Sequence, residues 1–166
     1  MFLKKDNNKG FTLIELLVAL SLFSVIVIGM TSTALSVMKG QRKAFSLQTV
    51  QEASRYTLES MIKEIRMGVV NSANGTGLSS LDVTNSKGED VEYQFLANKL
   101  RRSINGGAWQ DLSSDNVTLT GSFYVRKSAF PNRALVSIVM KIETKEVKTE
   151  ERSELYIQNS ITSRSN

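Results

Sequence analysis

The residue with the most chemistry to explain is Glu15, the single charge in the 29 residues from Gly10 to Met38. Around it the chain reads Lys9-Gly10-Phe11-Thr12-Leu13-Ile14-Glu15-Leu16-Leu17-Val18. A carboxylate near the centre of a bilayer costs about 2.5–3.5 kcal/mol on insertion scales, so it calls for a partner. Glu15 lies four residues past Phe11, a spacing that puts both on one helix face. Gly10 is a small residue at the polar–apolar boundary, where a protease can take up extended backbone. A cut after Gly10 would leave an ammonium on Phe11. Glu15 could neutralise that charge on its own chain or on a neighbour.

Elsewhere the inventory is thin. There is no Cys and no His among 166 residues, which removes disulfides, thiol nucleophiles, imidazole triads and most transition-metal sites. The serines match no Ser–Lys motif, and the chain is not read as an enzyme. Asp82, Glu89, Asp90 and Glu92 are oxygen ligands of the kind Ca²⁺ takes, but no loop template fits them. They read as solvated carboxylates of turns and strand edges, and neither metal nor cofactor is expected. Lys99, Arg101 and Arg102 beside Trp109 make a small basic–aromatic surface that suggests DNA. Beyond Met67, however, 12 Lys and Arg face 11 Asp and Glu. That near-balance favours an exposed hairpin over a nucleic-acid surface.

These residues need elements to hold them. Fifteen of the 20 residues from Phe11 to Met30 are apolar, enough for a helix about 30 Å long, the thickness of bilayer hydrocarbon. Before it, Lys4, Lys5 and Lys9 outnumber Asp6; after it come Lys39, Arg42 and Lys43. Both flanks are basic, so charge bias alone does not orient the span. The lysines of so short a leader most simply stay in the cytoplasm, with the remainder outside. Two simpler readings compete. One is a secretory signal peptide cut near Ser32 and Ala34; the other is a plain anchor with Glu15 snorkelling to the interface. The apolar run exceeds the roughly 7–15 residues of a signal h-region, and Glu15 does not belong in one.

Helical spacing continues past the span. Leu47, Val50, Leu58, Met61, Ile62 and Ile65 share a face with Ser54, Glu59 is spaced to pair with Lys63, and Gly68 suits a C-cap. One helix over residues 11–67 would be about 85 Å long, with Gly29 and Gly40 as points of bending. The second half of the chain alternates at period two. Residues 71–77 and 85–88 read as loop and turn, and Val91, Tyr93 and Phe95 as one strand. Ala97-Asn98 and Asn105-Gly106-Gly107 are turns flanking Lys99–Ile104. Gly121 interrupts the alternation of Val117, Leu119, Phe123 and Val125, and Pro131-Asn132 marks a loop. Residues 134–143 form the most β-prone segment. A charged connection over 145–152, a last strand with Leu155, Ile157 and Ile161, and a frayed tail over 163–166 follow. The fold class is α+β: a long N-terminal helix packed on a mainly antiparallel sheet of six or seven short strands.

The string Lys9-Gly10-Phe11-Thr12-Leu13-Ile14-Glu15-Leu16-Leu17 resembles, without mismatch, the prepilin signal of type IV pilins and type II secretion pseudopilins. The resemblance implies a leader over residues 1–10, cut by prepilin peptidase between Gly10 and Phe11 on the cytoplasmic side, with Phe11 then N-methylated. It further implies a transmembrane and filament-core helix over 11–38, an amphipathic continuation over 39–67 and an extracytoplasmic β-rich domain over 68–166. Glu15 would pair with the terminal ammonium of an adjacent subunit during assembly. The implied partners are prepilin peptidase, other pilin or pseudopilin subunits, membrane lipid, and an assembly platform membrane protein with its ATPase. Many relatives carry a Pro in the apolar helix and a disulfide near the C-terminus; this chain has neither. Arg55-Tyr56-Thr57-Leu58 through Arg66 and the late Ile157-Gln158-Asn159-Ser160 are similar to minor subunits of the J type, a looser likeness. The alternative is a single-pass anchored extracytoplasmic binding domain, one that binds DNA for uptake among them.

Overall fold

The computed structural model describes residues 10–128, 133–145, 148 and 151–163. Residues 1–9, the Pro131-Asn132 loop, half of the charged connection and residues 164–166 lie outside the described residues. One helix, α1, runs Leu13–Met67, and the chain divides into two compact units, Met1–Gln41 and Arg42–Asn166.

In the first unit the helix is apolar all round, and its large side chains from Leu13 to Met38 are exposed. Its hydroxyl groups are satisfied by its own backbone. Ser21 donates to the Val18 carbonyl at 2.8 Å, Ser24 to Leu20 at 2.8 Å, Thr31 to Val27 at 2.8 Å and Thr33 to Gly29 at 3.0 Å. A helix in lipid must satisfy its polar groups this way. It is long and apolar enough to cross a membrane.

In the second unit the helix is amphipathic and packs on two antiparallel sheets, an α+β architecture of pilin-like kind. One sheet has the order β1-β3-β4-β5-β6, from Val69–Val70, Ser80–Thr84, Asp90–Leu96, Lys99–Ile104 and Gln110–Asp111. The other has the order β2-β7-β8-β9, from Gly75–Leu78, Val117–Ser128, Arg133–Thr144 and Glu154–Thr162. Two sheets, with two strands of 12 residues, replace the single sheet of short strands that the sequence suggests. Gly75–Leu78 also draws part of the expected 71–77 loop into a strand.

The turns follow local chemistry. Ala97 and Asn98 both adopt positive φ, 52° and 60°, so a two-residue turn joins β4 to β5 with Leu96 opposite Lys99. Asn105 and Gly106 repeat the device at 50° and 67°. The Asn85 side-chain oxygen accepts from the backbone of Lys87 at 2.9 Å and of Glu89 at 3.1 Å, fixing the turn before β4.

Val91 and Tyr93 of β4, Leu119 and Phe123 of β7, and Val136, Ile138, Met140 and Ile142 of β8 are buried, as their alternation predicts. Gly121 corrects the expectation of a break. It continues the inward row of β7 without interruption, and a Cβ there would lie 2.6 Å from the Val139 carbonyl oxygen and 2.8 Å from the Phe95 ring. The missing side chain lets Phe95 of one sheet reach Phe123 of the other, ring centroids 4.7 Å apart.

Gly68 is a second correction. It follows α1 as expected but is not left-handed. A Cβ there would meet the Thr84 carbonyl oxygen at 2.5 Å, so close passage of β3 requires this glycine.

The buried face of α1 is Ser46, Val50, Ser54, Thr57, Met61 and Ile65. Leu47 stands outside it, 42% exposed. Small hydroxyl side chains let the helix approach the sheets closely where a row of leucines would hold it off. Among the described residues Glu59 pairs back to Arg55 at 2.8 Å and not forward to Lys63. Ser163 is buried rather than frayed. Its N–H donates to the Ala134 carbonyl at 2.8 Å and its hydroxyl oxygen accepts from the Ala134 N–H at 3.0 Å.

Candidate processing and assembly site

α1 begins at Leu13, so Gly10, Phe11 and Thr12 precede the helix. All three are exposed, and among the described residues nothing beyond its chain neighbours lies within 4 Å of where a Gly10 side chain would start. The Gly10–Phe11 bond is therefore presented outside regular structure, in a form a protease can engage. Phe11 sits ahead of the first turn, so it does not share a helix face with Glu15 as its spacing suggests.

Glu15 has a local role that four-residue spacing conceals. Thr12 is the N-cap of α1 and Glu15 the third helical residue, and together they form a capping box. The Thr12 hydroxyl oxygen accepts from the Glu15 N–H at 3.3 Å. Glu15 Oε2 accepts from the Thr12 N–H at 3.0 Å and from the Thr12 hydroxyl at 2.9 Å. The Leu16 N–H donates to the Thr12 carbonyl at 3.2 Å, closing the first turn. The carboxylate also lies at the positive end of the helix dipole. Chemically, this end of the helix pairs an anion with a backbone donor one residue past the Gly10–Phe11 bond.

The other sequence candidates fall apart in space. Asp82 and Glu92 are cross-strand neighbours, Asp90 Oδ1 accepts from the Thr84 hydroxyl at 3.0 Å, and Glu89 accepts from the Asn85 amide at 2.8 Å. Among the described residues no three acidic side chains converge on a metal position. The basic–aromatic surface is neutralised by its own chain. Lys99 contacts Asp111 at 2.6 Å and Asp115 at 2.7 Å; Arg101 approaches Asp111 at 3.2 Å; Arg102 pairs with Glu64. The hydrogen bonds it donates to Asp111 and Asp115 raise the Lys99 pKa, and the Lys99 ammonium lowers that of Asp115.

Sequence reasoning missed the cluster Glu64–Tyr93–Arg102, which ties the last turns of α1 to β4 and β5. The Tyr93 hydroxyl donates to Glu64 Oε2, and the Arg102 guanidinium reaches both carboxylate oxygens, its Nε at 3.1 Å from Oε2. Burial above all, and then the Glu64 carboxylate, push the Tyr93 pKa well above the ordinary phenol value. The hydrogen bond to Glu64 likewise raises Arg102. The available signal was an aromatic hydroxyl within an inward row, which demands a polar partner.

Residues 5–31 match the family described as the prokaryotic N-terminal methylation motif. No curated protein and no solved structure matches the chain. The matched segment contains the Gly10–Phe11 junction, the Thr12–Glu15 cap and the start of the apolar helix. It supports a type IV pilin-like, membrane-anchored protein processed by a prepilin peptidase.

Proposed function

We propose that the chain is a minor pilin or pseudopilin, a structural subunit of a type IV pilus-like or type II secretion filament. The observation that carries this reading is the coincidence of one carboxylate in the apolar helix, a capped helix start and an exposed Gly–Phe junction within six residues, Gly10 to Glu15. Peptidase cleavage after Gly10 would leave the Phe11 ammonium next to the N-cap. N-methylation of Phe11 would follow. Glu15, already oriented toward the N-terminal end of α1, would then meet the ammonium of a neighbouring subunit while the apolar helices pack side by side. Their exposed side chains are what a lipid or helix–helix environment takes up. An ATPase working through a membrane platform would drive extraction, and the second unit would face the extracytoplasmic side.

Mass spectrometry of the mature chain from its native host tests the processing. N-methyl-Phe11 is expected; an intact Met1 indicates a plain anchor, and a start near Ser36 indicates a signal peptide. Assembly is tested by Glu15→Leu. The variant should be cleaved normally yet fail to enter filaments, and wild-type incorporation would overturn the assembly role.

A further inference from the structure

Arg42 follows Met38, the end of the apolar stretch, by four positions. Four residues reach at most about 14 Å even fully extended, so Arg42 stays near the polar boundary of any bilayer the apolar run enters. Basic residues on the translocated side of a span oppose the positive-inside bias, so Lys39, Arg42 and Lys43 carry a cost in orientation that a use at that place would explain.

The second unit gathers more positive charge beside Arg42. The β8–β9 connection is held against the helix there. The Ser46 and Thr144 hydroxyls share a hydrogen bond of 3.0 Å, Arg42 meets Glu151 at 3.4 Å, and the Lys43 ammonium donates to the Arg152 carbonyl. Lys145, Lys148 and the Arg152 side chain are exposed on this connection. A groove of about 520 Å³ is lined by Arg42, Phe45, Thr49, Lys145 and Lys148 among others. Phe45 is 68% exposed within it. Over residues 39–43 and 145–152 the chain has six Lys and Arg against three Glu. Glu151, engaged by Arg42, leaves only 11% of its side chain exposed. A cationic rim around an exposed aromatic is the composition of surfaces that settle at the headgroup–acyl boundary.

We propose that Arg42, Lys145, Lys148 and Arg152, with Phe45 between them, seat the second unit on the anionic phospholipid surface of the leaflet from which the helix emerges. The cations meet headgroup phosphates, and Phe45 enters the interfacial layer. This requires an anchored chain but not filament assembly, so its failure is distinct from failure of the Glu15 or N-terminus tests.

The test is amide hydrogen exchange on the full chain in lipid nanodiscs, zwitterionic or with about one-third phosphatidylglycerol. Exchange over Phe45–Thr49 and 151–153 should slow about tenfold in the anionic discs. The protection should vanish near 1 M salt, where the screening length is about 3 Å. Lys145→Glu/Lys148→Glu should abolish it while leaving exchange in zwitterionic discs unchanged, which reports an intact fold. If that variant unfolds, Lys145→Gln/Lys148→Gln takes its place and should remove most of the protection. Equal exchange of the wild type in both discs overturns the proposal. So does protection reproduced by inorganic phosphate with zwitterionic discs, which would mark a small-anion site instead of a lipid surface.

Discussion

Thr12 holds Glu15, and this small pairing changes how the N-terminal motif is understood. The Thr-x-x-Glu spacing inside it is a helix start signal in its own right, independent of any partner subunit. Replacing Thr12 with Ala should free the Glu15 N–H, remove the hydroxyl bond to the Glu15 carboxylate and destabilise the first turn by about 1 kcal/mol. Amide exchange at Leu13 to Glu15 in nanodiscs should then rise about fivefold, and Thr12→Ser should restore the wild-type rate. Tyr93 offers a second test. Its folded pKa lies above the unfolded one, so its contribution is complete below about pH 10 and declines as pH rises through the range above. Tyr93→Phe loses the hydrogen bond to Glu64 but has no phenol to titrate. The melting-temperature gap between wild type and Tyr93→Phe should therefore hold constant up to about pH 10 and narrow as pH rises above it. Glu15 stood out in the sequence because a charge is out of place in an apolar run. The Glu64–Tyr93–Arg102 cluster did not, since its members are 29 and 38 positions from Glu64 and no local pattern links them.

Among the elements, strands were read well wherever hydrophobic alternation set the buried face. β4, β5, β8 and β9 lie where their alternation and flanking turn residues put them. The helix stripe was misjudged at Leu47 because apolar side chains alone were weighed. Its true inward line passes through Ser46, Ser54 and Thr57, where closeness of approach selects small residues. Thr57 is fully buried and its hydroxyl has no hydrogen-bond partner among the described residues. Thr57→Val keeps the shape and removes the unsatisfied group, so it should stabilise the second unit by about 0.5–1 kcal/mol. Thermal melting checks this, and a lower melting temperature would show that the hydroxyl is satisfied in solution. Gly68 and Gly121 show the same limit of sequence reasoning. Each was read by its local habit, yet each is required by a strand or ring distant in sequence.

For the whole molecule, the +5 formal charge says little about nucleic acid, because the cations that suggested it are engaged by Asp111, Asp115 and Glu64. The two sheets and the helical half share one buried cluster, with Phe123 of one sheet against Phe95 of the other. Phe123→Ala should cost about 3–5 kcal/mol. Loss of helix and strand signals should remain coincident with loss of the near-ultraviolet aromatic signal, and two separated transitions would deny a single cooperative core. The α+β class was legible from periodicity. The division into two sheets was not, because strand order depends on pairings such as β2 with β7, which alternation does not encode.

The position of β9 carries a consequence in time. The inward face of α1 is complete by Met67, yet the hydroxyl-lined close of the core needs Ile161 and Ser163, nearly a hundred residues later. At a synthesis rate of about 5–20 residues per second, that face waits about 5–20 s for its sheets. Through that interval Val50, Met61 and Ile65 stay uncovered. A factor that shields nascent apolar surface would act on this stretch of helix first.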